Sequence, residues 1–157
     1  MIIGGQGTLW EDLVKYNFKH IIRGEGEVAF NKILEGSVSN KIVEEENTMF
    51  IDDLKFPDRG RCDTKVPIFT ARGCPWNCYF CSSQKFWRKV RYHSPEYFMA
   101  EVDYILETYP LVNFICIFDD LFIANRSRFN EIYDLWMKKG LRVFSILSLP
   151  LSAPNLT

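Results

Sequence analysis

Eight residues of this chain carry its densest chemical signal: Cys74-Pro75-Trp76-Asn77-Cys78-Tyr79-Phe80-Cys81. Three thiols stand at x3 and then x2 spacing, behind Arg72-Gly73 and an apolar run at 67–70 that reads as a strand. Thiolates so spaced on one tight loop can converge on a single metal centre. Three of them satisfy three irons of a cubane cluster and leave the fourth open. Zinc wants four protein ligands in a structural site, or three plus water in a catalytic one. The spacing therefore argues for an iron–sulfur cluster with one iron free to take another ligand.

Cys74-x3-Cys78-x2-Cys81, with the aromatic Phe80 before the last cysteine, resembles the signature of the radical S-adenosylmethionine (SAM) enzymes. The resemblance implies a [4Fe–4S] cluster held by Cys74, Cys78 and Cys81, its open iron chelated by the amino and carboxylate groups of SAM. It implies reductive cleavage of SAM to methionine and a 5′-deoxyadenosyl radical, which takes a hydrogen atom from a small-molecule substrate. It also implies an external electron donor such as flavodoxin or ferredoxin, and a contact of Phe80 with the adenine. Two other classes use similar donors. An electron-transfer or scaffold protein would add a fourth cysteine at ferredoxin spacing, which neither Cys62 nor Cys116 supplies. A zinc-binding module would recruit Cys62, His20 or His93 as fourth ligand.

The elements that must position this loop come from a chain of 157 residues, one domain's worth or pieces of two. At 47% hydrophobic and 25% charged it has material for a core and does not read as disordered. A formal net charge of −1 gives no electrostatic reason to expect nucleic acid as a partner. No apolar run reaches transmembrane length and the start has no signal-type core, so the expectation is a cytoplasmic protein. Five cysteines, three of them within eight residues, are not a disulfide framework.

Residues 1–3 read as the end of a strand running into a glycine-rich turn, Gly4-Gly5-Gln6-Gly7. Thr8 is placed to cap a helix to about residue 16, and 18–23 read as a strand. Gly24-Glu25-Gly26-Glu27 then introduces a helix that Gly36 ends. The two acids answer the helix dipole themselves and would repel a phosphate, so a plain turn is favoured over a phosphate cradle. Gly4-Gly5 followed by Arg23-Gly24-Glu25-Gly26-Glu27 also resembles the tail of the cobalamin-binding Rossmann-like domain that precedes the radical domain in one large subfamily. That subfamily's histidine-containing cobalamin motif would lie upstream. His20 and His93 do not sit in such a motif, so cobalamin is expected only with a preceding segment. Residues 41–44 read as a strand, and 51–59 resemble the subfamily's inter-domain linker.

Beyond the cysteine loop, residues 85–91 carry four cations among Phe86, Trp87 and Val90, read either as an electropositive lip near SAM or as a solvated loop. Ser94-Pro95-Glu96 is a strong helix start. Phe98, Val102, Ile105 and Tyr109 form its apolar stripe, with Glu101 and Asp103 expected to face solvent. Residues 112–118 are almost wholly apolar, as for a central strand buried on both faces, with Cys116 a small buried hydrophobe. That strand ends in Asp119-Asp120, where strand-end acids of parallel folds serve a site. By resemblance, Asp119 and Asp120 would hold the SAM amino group. Ser127 is expected to cap a helix closed by Gly140, and 143–149 to form a further strand.

Strands alternating with helices imply parallel pairing. The resulting fold class is α/β. The resemblance implies a partial parallel (β/α) barrel of radical-SAM type, about its first half, over residues 66–157. A Rossmann-like, cobalamin-binding-type remnant at 1–50 and a linker at 51–65 precede it. The chain reads as a fragment, and the residues that choose between methylation, ring formation and sulfur insertion lie outside it.

Overall fold

A computed structural model describes residues 1–45, 49–60, 64–140 and the backbone of 145–146. The chain divides into two compact units, Met1–Met49 with Trp76–Lys89, and Phe50–Pro75 with the chain from Val90 onward.

The first unit is built on a parallel sheet of β1 (Ile2–Ile3), β2 (His20–Arg23) and β3 (Ile42–Glu44), with β2 in the middle. Helix α1 (Gly26–Leu34) crosses between β2 and β3 and packs Ala29 against Ile22 and Val43. Gly36, at φ +73°, follows the end of α1 in the left-handed conformation that glycine alone adopts without strain, as its position in the sequence predicts. The helix expected from Thr8 is instead a pair of 3-10 turns, Gln6–Leu9 and Glu11–Lys15, separated by an extended Trp10. The physical reason lies in Thr8. It lies inside the first turn, not ahead of it, and its buried hydroxyl turns back to donate to the Gly5 carbonyl at 2.7 Å. The short helix α2 (Ser83–Trp87) joins this unit, where the Ser82 hydroxyl meets Gln6 Oε1 at 3.2 Å.

The second unit holds β4 (Lys65–Ile68), the small strands β5 (Ala71–Arg72) and β6 (Arg91–Tyr92), helix α3 (Pro95–Thr108), β7 (Phe114–Ile117), helix α4 (Arg126–Lys138) and β8 (Ser145–Ile146). Strands β4, β7 and β8 lie side by side, all parallel, in register Val66 to Ile115 and Cys116 to Ser145. A parallel step needs a crossover, and α3 and α4 supply the helices. The Ser94 hydroxyl caps α3 by accepting from the Tyr97 N–H at 3.1 Å. Phe98, Val102, Ile105 and Tyr109 are buried as their spacing predicts, and join Val66, Ile68, Ile115, Ile117, Phe122, Ile132 and Trp136 in one core. The outer parts of the strand expected at 143–149 lie outside the described residues.

Three expectations are corrected here. Glu101 is buried, because i+3 from Phe98 and i−4 from Ile105 put it on the apolar stripe of α3 and not beside it. Helix α4 is capped by Asn125, whose side chain accepts from the Arg128 N–H at 3.1 Å; Ser127 already lies inside the helix. The apolar run at 112–118 is not buried to its end, although Ile115, Cys116 and Ile117 within β7 all are. Phe118, just past the strand, is 46% exposed and meets Phe69, 55% exposed, edge to face at 6.2 Å.

Candidate functional site

The cysteine loop leaves the carboxyl end of β4. In the second unit, β5 pairs antiparallel with β6, Ala71 opposite Tyr92 and Arg72 opposite Arg91. The two-stranded neck therefore brings together the residues just before and just after the loop. Cys74, half-buried, belongs to this unit, and the chain then passes at Pro75-Trp76 into the first. There Cys78 and Cys81 are exposed, and the Cys81 N–H closes a turn on the Cys78 carbonyl at 3.0 Å. Phe80 is largely exposed, with Tyr79 edge to face against it at 5.2 Å. None of Cys74, Cys78, Cys81 and Cys116 is joined in a disulfide. Among the described residues, no three His, Cys, Asp or Glu side chains are gathered closely enough to hold a metal ion. Cys62 lies outside the described residues.

The neck is held by a buried polar network, all within the second unit. Thr70 sits at its centre. The Thr70 N–H and hydroxyl donate to the Asp119 carboxylate at 2.6 and 2.5 Å, and the Ala71 N–H adds a third bond at 3.1 Å. From the other side the Thr70 carbonyl accepts from Arg128 Nη2 at 2.8 Å and from the His93 N–H at 2.9 Å. Arg128 Nε reaches the His93 carbonyl at 2.6 Å, and its guanidinium lies over the Tyr92 ring at 5.5 Å. Asp119 is 1% exposed, and burial pushes its carboxyl up against the hydrogen bonds from Thr70 and Ala71 and the nearby Arg128 charge. Its neighbour Asp120 is exposed at the same strand end.

Behind the neck, residues 51–60 run along α3. Asp52 accepts from His93 Nδ1 at 2.8 Å and from the Ser94 N–H at 3.1 Å, and His93 stacks on Tyr97 at 4.2 Å. The Tyr97 hydroxyl donates to the Leu54 carbonyl at 2.9 Å. Burial, helped by the Glu101 charge, pushes that phenol up to about 12. Both histidines considered as zinc ligands are buried with a ring nitrogen engaged, His93 on Asp52 and His20 on the Asn40 carbonyl at 2.8 Å. The cationic stretch of 85–91 is divided: Phe86 is buried in α2, while Arg88 points to Glu44 at 3.7 Å.

Two residues that build the neck, Thr70 and Arg128, escape the motif reading. Arg128 leaves a trace in the sequence. It stands at i−4 from Ile132 and i−8 from Trp136, a cation on the buried stripe of α4. Thr70 leaves none, since its partners lie 49 and 58 positions away.

These features define an α/β protein with parallel sheets, whose three-cysteine loop leaves the carboxyl end of a strand. The chain is similar to the anaerobic magnesium-protoporphyrin IX monomethyl ester cyclase of Rubrivivax gelatinosus, 35% identical over 78 residues, which cover 50% of this chain and 14% of the relative. It is 27% identical over 152 residues to an uncharacterized methyltransferase of Pyrococcus horikoshii, covering 78% of this chain and 33% of the relative. It is 28% identical over 147 residues to the hopanoid C-3 methylase of Methylococcus capsulatus, covering 78% and 28%. The chain thus spans about a third or less of the length of the curated relatives it matches. No family model matches it, and no solved structure matches it significantly. With these relatives, the resemblance carried by the cysteine motif stands: the chain resembles the cobalamin-domain-containing radical SAM enzymes. No helix among the described residues is long and apolar enough to cross a membrane.

Proposed function

We propose that this chain is part of a radical SAM iron–sulfur enzyme of the cobalamin-domain-containing type. The observation that carries the reading is the donor set: three cysteines outside any disulfide at x3 and x2 spacing on one loop at a strand's carboxyl end, two of them exposed. Cys74, Cys78 and Cys81 would hold a [4Fe–4S] cluster, for which an all-thiol set is the right chemistry. When bound and reduced by an external donor such as flavodoxin or ferredoxin, that cluster would supply the one electron needed to cleave SAM reductively to methionine and a 5′-deoxyadenosyl radical. Phe80, exposed beside Cys81, offers a flat apolar face to the adenine. Asp120, exposed past the end of β7, would accept from the SAM amino group. The carboxylate oxygens of Asp119 are already turned to Thr70 and Ala71, so its contribution runs through the backbone.

On this reading β4, β7 and β8 with α3 and α4 are the first part of a (β/α) barrel, and residues 1–50 are the end of a cobalamin-type domain. Residues upstream and downstream would complete the cofactor sites and choose the substrate. The test is anaerobic reconstitution followed by low-temperature EPR of the reduced protein with and without SAM. A cubane signal that shifts on adding SAM supports the reading. One zinc and no iron after anaerobic preparation, or a cluster spectrum indifferent to SAM, overturns it.

A further inference from the structure

Thr70 is four residues before Cys74, and every polar atom it owns is bound to a buried group. Its N–H and hydroxyl are taken by Asp119, and its carbonyl by Arg128 and by the His93 N–H. Asp119 comes from the end of β7, Arg128 from the first turn of α4, and His93 from the residue after β6. Three elements distant in sequence therefore converge on one residue at the point where the chain turns from β4 into the loop. A merely structural threonine at a strand end would need its backbone groups satisfied, nothing more. Here a carboxylate and a guanidinium, 1% and 6% exposed, are both carried into the interior, each at a desolvation cost, to grip the same residue from opposite sides. Arg128 also holds the outgoing limb through the His93 carbonyl, so one side chain ties both limbs of the neck.

We propose that Asp119 and Arg128 are positioning residues that act through Thr70 to hold Cys74 in place as a cluster ligand. The inference rests on the cluster reading above and names residues that reading does not require. Outer groups that orient metal ligands typically change metal affinity by about tenfold to a hundredfold when removed. The neck is expected to behave in that range.

The test uses the full chain with Thr70→Val, which removes one hydroxyl at nearly constant shape, its partner Thr70→Ser, which keeps it, and Asp119→Asn. Two readouts are taken. The first is the rate of iron release from the reconstituted protein to a chelator, with the EPR spectrum of the reduced cluster. Thr70→Val and Asp119→Asn are expected to release iron about tenfold or more faster, with a broadened spectrum, and Thr70→Ser to match the parent. The second needs no cluster: alkylation of each cysteine in the apo chain, resolved by mass spectrometry. Cys74 is expected to react several times faster in Thr70→Val, while exposed Cys78 and Cys81 and buried Cys116 hold their parent rates. Cys116 reports on the core, so Cys74 and Cys116 accelerating together would overturn the proposal in favour of general loosening. Parent rates of iron release and of Cys74 alkylation in Thr70→Val would also overturn it. A parent chain that takes up no iron overturns the cluster reading, and with it the metal-directed role of the neck.

Discussion

Arg59 Nη2 lies 2.5 Å from Glu101 Oε1, and the two side chains are only 10% and 5% exposed. Arg59 also donates its backbone N–H to the Tyr109 hydroxyl at 2.9 Å, so the pair pins the end of the 51–60 segment to the middle and end of α3. Removing one partner strands the other as a buried charge, which costs about 3–5 kcal/mol. Arg59→Met and Glu101→Leu are each expected to lower stability by that order, and the double variant to recover most of the loss. Denaturant unfolding of the four proteins in a double-mutant cycle measures this. Additive losses would show that the two side chains are not energetically paired.

Acid should weaken the same region through His93. Burial lowers the imidazole below its ordinary value of about 6.5, with Asp52 opposing and Arg72 and Arg128 adding to the fall. The unfolded chain then binds the proton more tightly than the folded one. Stability is full above about pH 6.5 and falls as pH drops toward the folded value. Asp52 has the same sign at lower pH. Burial works to raise its carboxyl, but the bonds from Ser94 and His93 outweigh it and hold it low. Glu101 runs the other way, raised by burial against Arg59, so its contribution declines as pH rises through the carboxylate range. Between pH 7.5 and 5.5 the His93 effect governs. The melting temperature of the apo chain is expected to fall over that interval, and His93→Asn to flatten the slope.

Much of this was legible from local pattern. The α3 stripe with its Ser94 cap and the alternation of strand with helix need only neighbours three to seven residues apart. What was not legible depended on partners far along the chain. Asp119 reads as a strand-end acid open to a ligand until Thr70, 49 positions earlier, is brought against it. The exposure of Phe118 was hidden because an apolar run does not say where its burial stops.

The two candidate caps of α4 separate cleanly by mutation. Asn125 accepts from the Arg128 N–H, whereas the Ser127 hydroxyl donates to Glu131 Oε1 on the exposed surface at 3.2 Å. Asn125→Ala is expected to cost about 1 kcal/mol, the usual value of a lost N-cap, and Ser127→Ala a few tenths at most. Urea melts resolve the difference. Because the same Asn125 bond orders the backbone from which Arg128 reaches Thr70, Asn125→Ala is also expected to speed Cys74 alkylation modestly.

The four cysteines of the described residues differ in what they can do. Cys78 and Cys81 are exposed and joined by a backbone turn, while Cys116 is 9% exposed in the middle of β7, opposite Pro67 and Ser145 in the register. A thiol so placed packs as a small apolar group. Cys78→Ala and Cys81→Ala are therefore expected to abolish stable [4Fe–4S] uptake and to leave the melting temperature of the apo chain nearly unchanged. Cys116→Ala should do the reverse, keeping the iron and sulfide stoichiometry while lowering stability by about 1 kcal/mol for the lost packing. Iron and sulfide analysis after anaerobic reconstitution, set beside apo-chain melts, measures both halves. Loss of iron in Cys116→Ala alone would move the ligand set off the loop and into the sheet.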